Sequence, residues 1–298
     1  MPPVLIASAG EPATYRTLLA GRYDLIERIG SGHTGVVWRC HDTELDDEVA
    51  IKLLRGDLVA AERLDERLRR AARLARQVTH PNAARVFELG RAANDHFLTM
   101  EYIRGESLRR WIDRGGPMRP AWVQALAVSL CRGLAAALTV GVIHGAVRAS
   151  NVLLAPGRGP VLTDFGIDSA CALPLTGAQR PAGNLAYLAP ERWHGGDITT
   201  RGDVFAVGVV LFEALTGQLP WGDDAFALAA RSARGGEPLH WPVSGVPELW
   251  RELVADCLRD DPAQRPADVR SLLVRLGAGR WREPAGESVS CGRGRSSR

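Results

Sequence analysis

Lys52 is the only lysine among 37 basic residues, every other one being arginine. An ammonium is a compact, rotatable point charge and a guanidinium a larger planar fork, so a tight phosphate site can require Lys and reject Arg. Upstream of Lys52 lies the run Gly30-Ser31-Gly32-His33-Thr34-Gly35. Glycines let a backbone approach phosphates with no Cβ in the way. Gly30, Gly32, Gly35 and Lys52 are therefore a candidate phosphate-binding set. A G-x-G-x-x-G run also opens the helix of dinucleotide-binding folds. Here it leads into Val36-Val37-Trp38-Arg39-Cys40, whose alternation reads as a strand, so the dinucleotide reading fails on context.

The spacing Gly30-x-Gly32-x-x-Gly35-x-Val37, followed by Val49-Ala50-Ile51-Lys52, resembles the start of a protein kinase domain. That likeness implies a β-hairpin over the ATP phosphates and a strand lysine that holds them. Other landmarks follow in the family's order. Ile103-Arg-Gly-Glu-Ser-Leu108 resembles the hinge, Asp164-Phe165-Gly166 the magnesium-binding D-F-G, and Ala189-Pro190-Glu191 the A-P-E. Asp203, with Gly208 after it, is similar to the helix that anchors the catalytic loop, and Arg265 to the buried partner of the A-P-E glutamate. The resemblance covers residues 23 to about 276 and implies a two-lobed α+β kinase fold. The small lobe would span 23–102 and the mostly helical large lobe 106–276. Gly105-Glu-Ser-Leu and the short Asp261-Pro-Ala-Gln-Arg265-Pro are similar to bacterial serine/threonine kinases.

The same likeness assigns an adenine pocket with Met100 as gatekeeper at its back. The backbones of Glu101 and Ile103 would bond the adenine edge, and Val37, Ala50 and Leu153 would sandwich the ring. Plain core packing explains these apolar residues equally well, and the two readings are compatible. Asn151 and Asp164 would hold Mg²⁺, since both offer hard oxygen ligands; a turn residue before Gly166 is the plainer alternative for Asp164. ATP and Mg²⁺ are the implied cofactors, and a partner or substrate protein the implied macromolecular ligand.

Where the family reads H-R-D-x-K-x-x-N, this chain reads His144-Gly145-Ala146-Val147-Arg148-Ala149-Ser150-Asn151. Arg148 keeps the charge of the loop lysine. Gly145 removes the arginine that pairs with a phosphorylated activation segment, whose candidate sites here are Ser169 and Thr176. Ala146 removes the aspartate that orients the substrate hydroxyl and accepts its proton, and a methyl group does neither. Ala71 stands where the family places the helix glutamate that pairs with the strand lysine. Glu66 lies about 140° round the helix from it and is no simple substitute. Gly183-Asn184 replaces a Gly-Thr whose threonine bonds the catalytic aspartate. Together these departures resemble a pseudokinase. Three readings follow: an ATP-binding regulator or scaffold, a weakly active serine/threonine kinase, and an interaction domain that binds no nucleotide.

At 298 residues, 46% hydrophobic and 24% charged, the chain has room for one domain with a sizeable core. A net charge of +3 against 34 acidic residues does not argue for nucleic acid, and Arg293 and Arg295 read as part of a solvated tail. Five scattered cysteines with no C-x-x-C pair fit a reducing cytoplasm, with Cys131 and Cys257 in core positions. The longest apolar run, Val204 to Phe212, falls short of the roughly 20 residues of a spanning helix, and the N-terminus lacks the basic head of a signal peptide. Residues 1–22 read as a leader and 277–298 as a Gly/Ser/Arg-rich tail. Helical spacing predicts a helix from about 60 to 78, with strands at 83–89 and 96–102.

Overall fold

A computed structural model of the chain describes residues 18–32, 34–54, 64–92, 95–167, 170, 185–235 and 238–277. The small lobe is an antiparallel sheet of β1 (Leu18–Leu19), β2 (Tyr23–Gly32), β3 (Gly35–Asp42), β4 (Asp47–Leu54), β5 (Val86–Ala92) and β6 (Asp95–Glu101), in the order β1-β2-β3-β4-β6-β5. Helix α1 (Leu64–Ala75) packs against it. The leader expected to run to residue 22 thus lends Leu18 and Leu19 to the sheet, paired with Asp24 and Tyr23. Arg22 follows and pairs with Asp42 at 2.6 Å, which holds that carboxyl below its usual range.

Register explains how this sheet faces two ways. Cross-strand partners share a face, and residues two apart on one strand share it too. Val37 pairs with Lys52, Lys52 with Leu98, and Ala50 with Met100. Val37, Lys52, Ala50, Leu98 and Met100 therefore line one face, and its apolar members join the main core under α1. The alternate residues Cys40, Val49, Ile51 and Phe97 form a separate cluster with Tyr23 on the other face. Gly35 is required where it stands: a Cβ there would lie 1.9 Å from the Leu53 carbonyl oxygen.

The large lobe adds β7 (Glu106–Ser107), α2 (Leu108–Gly115), α3 (Pro120–Thr139), β8 (Val152–Ala155), β9 (Gly159–Leu162), α4 (Pro190–Trp193), α5 (Thr200–Thr216), α6 (Ala225–Arg234), α7 (Glu248–Cys257) and α8 (Val269–Arg275). Strands β7, β8 and β9 make a small antiparallel sheet below the cleft. Helix α5 is buried along almost its whole length and has no polar face. Gly208 lets it approach α7, since a Cβ at that position would come within 2.6 Å of the Cys257 Cβ. Cys131 and Cys257 are buried core residues, and burial pushes the Cys257 thiol up to about 12.

Helix α3, which an uninterrupted-run criterion overlooks because Gln124 and Arg132 break it, has the length and mean hydropathy (20 residues, 1.5) of a membrane span. Its Val123, Leu126, Ala127, Leu130, Cys131 and Leu134 are buried in the lobe, and it packs on β9, α5 and α8. It is the core helix of the large lobe.

Candidate functional site

The two lobes meet at a cleft whose upper wall is the Val37–Ala50–Lys52 face of the sheet. Lys52 Nζ lies 2.8 Å from Asp164 Oδ1, and the two side chains are 4% and 12% exposed. The single lysine and the D-F-G aspartate, far apart in sequence, are thus one buried ion pair. Asp164 has φ +64°, a left-handed conformation that few non-glycine residues adopt. Backbone strain of this kind is retained where the surroundings over-determine it.

Asn151 sits at the end of a short 3₁₀ turn, Ala149–Asn151, and its carbonyl accepts the Thr163 amide at 2.9 Å. That bond ties Asn151 to the residue before Asp164. The Asn151 Oδ1 accepts from Arg148 Nε at 3.0 Å, while its Nδ2 donates to the Ala146 carbonyl at 3.0 Å. Both candidate ligand oxygens therefore already face a protein cation: Lys52 for Asp164, Arg148 for Asn151. Two hard oxygens from protein suit Mg²⁺, which would have to displace these contacts and complete its shell with water and phosphate. Among the described residues there is no cluster of three or more His, Cys, Asp or Glu that would suit a protein-only metal cage.

The loop from His144 to Asn151 is held by hydrogen bonds to its backbone. Asp203, at the start of α5, accepts the amides of His144 (2.9 Å) and Gly145 (2.7 Å). Gly145, with φ +69°, makes the bend that aims both amides at one carboxylate. His144 Nδ1 accepts the Ala146 amide at 3.2 Å, so its Nε2 donates to the Thr163 carbonyl at 2.9 Å, and its ring packs on Phe165. The Ala146 backbone is thus bonded on both sides, its amide to His144 Nδ1 and its carbonyl to Asn151 Nδ2. Asp203 offers no free carboxylate to this loop, because it is buried and each of its oxygens accepts one of the two amides.

Burial raises the Asp203 pKa to about 6, and the two amide bonds only partly offset this. A carboxyl whose folded pKa lies above its unfolded value favours folding at low pH. Its contribution is full below the ordinary value near 4 and is lost as pH rises through 6. Asp203→Asn should flatten that part of the profile. Urea unfolding of both proteins from pH 4 to 8 measures it, and parallel profiles would show that Asp203 stays ionised throughout.

On the small-lobe side Gly30 and Gly32 end β2 and Gly35 opens β3; His33 between them lies outside the described residues. Among the described residues a Cβ on Gly32 would meet nothing within 4 Å and one on Gly30 only Val37, so these two glycines relieve no clash there. Val37, Ala50 and Met100 share the cleft face, as derived from register. Leu153 and Ile103 are grouped instead in a small hinge cluster with Ala84, Ala155 and Val161. The Glu101 amide donates to the Arg85 carbonyl at 2.9 Å. Its carboxylate binds Arg158, a hinge contact with no local sequence signal, and Arg158 Nε also donates to the Pro81 carbonyl at 2.7 Å.

Ala71 lies at the edge of the buried Leu68–Ala72–Ala75 stripe of α1 and packs on the main core, while Glu66 is exposed. Gly183, Asn184, Ser169 and Thr176 lie outside the described residues. The expected A-P-E pair is formed: Arg265 holds Glu191 with two bonds of 2.8 Å.

The protein kinase domain family model matches residues 23–274. The chain is 32% identical over 251 residues to the serine/threonine-protein kinase PrkC of Bacillus subtilis, covering 83% of this chain and 39% of that protein. It is 35% identical over 258 residues to PknL of Mycobacterium tuberculosis (86% and 65%) and 32% over 264 residues to PkaA of Streptomyces coelicolor (84% and 48%). It thus spans less than two thirds of the length of these relatives.

Proposed function

We propose that this chain, which belongs to the protein kinase domain family in its bacterial serine/threonine branch, is an ATP-binding pseudokinase that acts as a regulator or scaffold for a partner protein. The observation that carries this reading is the contrast between two halves of one site. On the phosphate side the chain keeps the hairpin glycines, Lys52 and Asp164, and the pairing and burial of Lys52 with Asp164 support this reading. The transfer side has an alanine at the base position on a loop whose backbone is otherwise intact. Asn151 and Asp164 would hold Mg²⁺, which supplies charge neutralisation at the phosphates. Lys52 would bind and orient those phosphates, and the Val37, Ala50 and Leu153 side chains would cover the adenine. A reducing, cytoplasmic setting belongs to the same reading, and the buried thiols of Cys40, Cys131 and Cys257 support it.

Mg·ATP is expected to stabilise the fold by roughly 2.7 kcal/mol at about 100 times its Kd. Thermal unfolding of the wild type and of Lys52→Ala, with ATP in the presence and absence of Mg²⁺, tests this. Lys52→Ala should lose most of the shift, and Asp164→Ala most of its magnesium dependence. No shift in the wild type at saturating nucleotide would leave the nucleotide-free interaction domain as the surviving reading. A second reading, a slow serine/threonine kinase, draws on the same retained groups, because phosphoryl transfer rests mainly on positioning and electrostatics.

A further inference from the structure

We propose that the groove between α1 and β5, on the small lobe, binds a phosphorylated serine or threonine segment of a partner protein. The groove has a volume of about 450 Å³ and is lined by Arg69, Arg73, Arg76, Glu88, Arg91 and His96, with Ala72 and Leu89 as apolar patches. Arg69, Arg73 and Arg76 fall at i, i+4 and i+7 on α1, so they form one stripe along a single helix face. Arg91 faces them from β5. Because this chain uses arginine for nearly every positive charge, the residue type alone means little. What matters is that four arginines from two elements line one concavity.

The acidic groups at the groove are already engaged. Asp65 binds Arg69 at 3.1 Å and His96 Nε2 at 2.9 Å, and Glu88 Oε1 accepts the Tyr23 hydroxyl at 2.6 Å. Arg73, Arg76 and Arg91 are exposed and form no ion pair with another described residue. His96 is 3% exposed, and its Nδ1 has no hydrogen-bond partner. The surplus charge is therefore positive and concentrated. A guanidinium matches the oxygens of a phosphate monoester bidentately, and an arginine cluster is the usual complement of a phosphorylated side chain. Ala72 and Leu89 offer the apolar surface against which a peptide's neighbouring side chains would rest.

The location gives the site a consequence. Helix α1 carries Ala71 where a glutamate would tie the helix to Lys52, so its inner face lacks that grip. A phosphopeptide bridging Arg73 and Arg76 on α1 to Arg91 on β5 would fix the same helix from outside, and would tighten ATP binding. This coupling rests on the ATP-binding reading above; phosphopeptide binding itself does not.

The test uses the full chain and a fluorescent degenerate peptide pool centred on phosphoserine or phosphothreonine, with the same pool after phosphatase treatment. Anisotropy should show the phosphorylated pool binding about tenfold or more tightly than its dephosphorylated twin, as expected for charge-assisted bonds. The triple variant Arg73→Ala, Arg76→Ala, Arg91→Ala should lose that difference with an unchanged melting temperature, whereas Arg270→Ala, on α8, should keep it. Equal binding of the two pools would overturn the proposal in favour of a generally acidic partner. Absence of binding up to millimolar peptide, or a self-association abolished by the same triple variant, would overturn it as well. If the phosphorylated pool binds and ATP affinity does not change, the site stands and the coupling falls.

Discussion

Arg265→Ala is expected to destabilise the protein by about 3–5 kcal/mol, the range for removing one partner of a buried, hydrogen-bonded ion pair. All three guanidinium nitrogens of Arg265 are used. Nε donates to the Arg259 carbonyl at 2.6 Å, Nη1 to Glu191 and the Arg201 carbonyl, and Nη2 to Glu191 and the Asp260 carbonyl. The side chain is 0% exposed and packs over the Phe205 ring, so truncation leaves a carboxylate and three carbonyls without their donor inside the lobe. Arg265→Lys should recover little, since an ammonium cannot serve five directions from one planar fork. Urea unfolding of wild type, Arg265→Ala, Arg265→Lys and Glu191→Gln measures these differences. A loss below about 1 kcal/mol for Arg265→Ala would show that water enters and satisfies the orphaned groups.

That pair was legible in the sequence because both members lie in short motifs, Ala189-Pro190-Glu191 and Asp261-Pro-Ala-Gln-Arg265-Pro. The same holds for Lys52 and Asp164. The cleft face of the sheet was legible for another reason: a strand's two-residue period fixes which side chains sit together once the register is known. Contacts without a motif or a period were not legible. Arg158 reaches Glu101 across 57 positions, and Arg109 with Tyr187 holds the fully buried Glu213 on α5. Arg148 read only as a retained positive charge, yet its Nε is placed on the oxygen expected to bind metal. Its guanidinium turns to Asn151 in a loop where the aspartate is missing. Strand β1 was missed because two residues carry no periodicity, and its place depends on Arg22 and Asp42 closing the turn beside it. The basic groove was missed because Arg91 is brought to the α1 stripe only by the packing of β5 against that helix.

On the proposed reading, phosphoryl transfer by the wild type to a protein substrate should run at least about 100-fold below an ordinary kinase, whose turnover is about 1–100 s⁻¹, because the methyl group of Ala146 cannot act as a general base. A wild-type turnover above about 1 s⁻¹ on any protein would end the pseudokinase reading. Restoring activity should need two changes together. Ala146→Asp places a carboxylate on a loop whose backbone bonds to His144 and Asn151 are already made, so the new side chain needs no rebuilding of its support. By itself it should help little, because Lys52 is paired with Asp164 and Ala71 offers no carboxylate to fix it for phosphate binding. Ala71→Glu supplies that group from a position half-buried against the same core that underlies the Lys52 face. Residues that act as one unit are non-additive. The double variant should therefore exceed the product of the two single gains, and Asn184→Thr should raise it again. Radiolabelled transfer to a generic basic protein, with ATP binding measured in parallel, decides the matter. Equal activity in wild type and triple variant, with ATP still bound, would place the defect in the substrate groove rather than in the phosphate machinery.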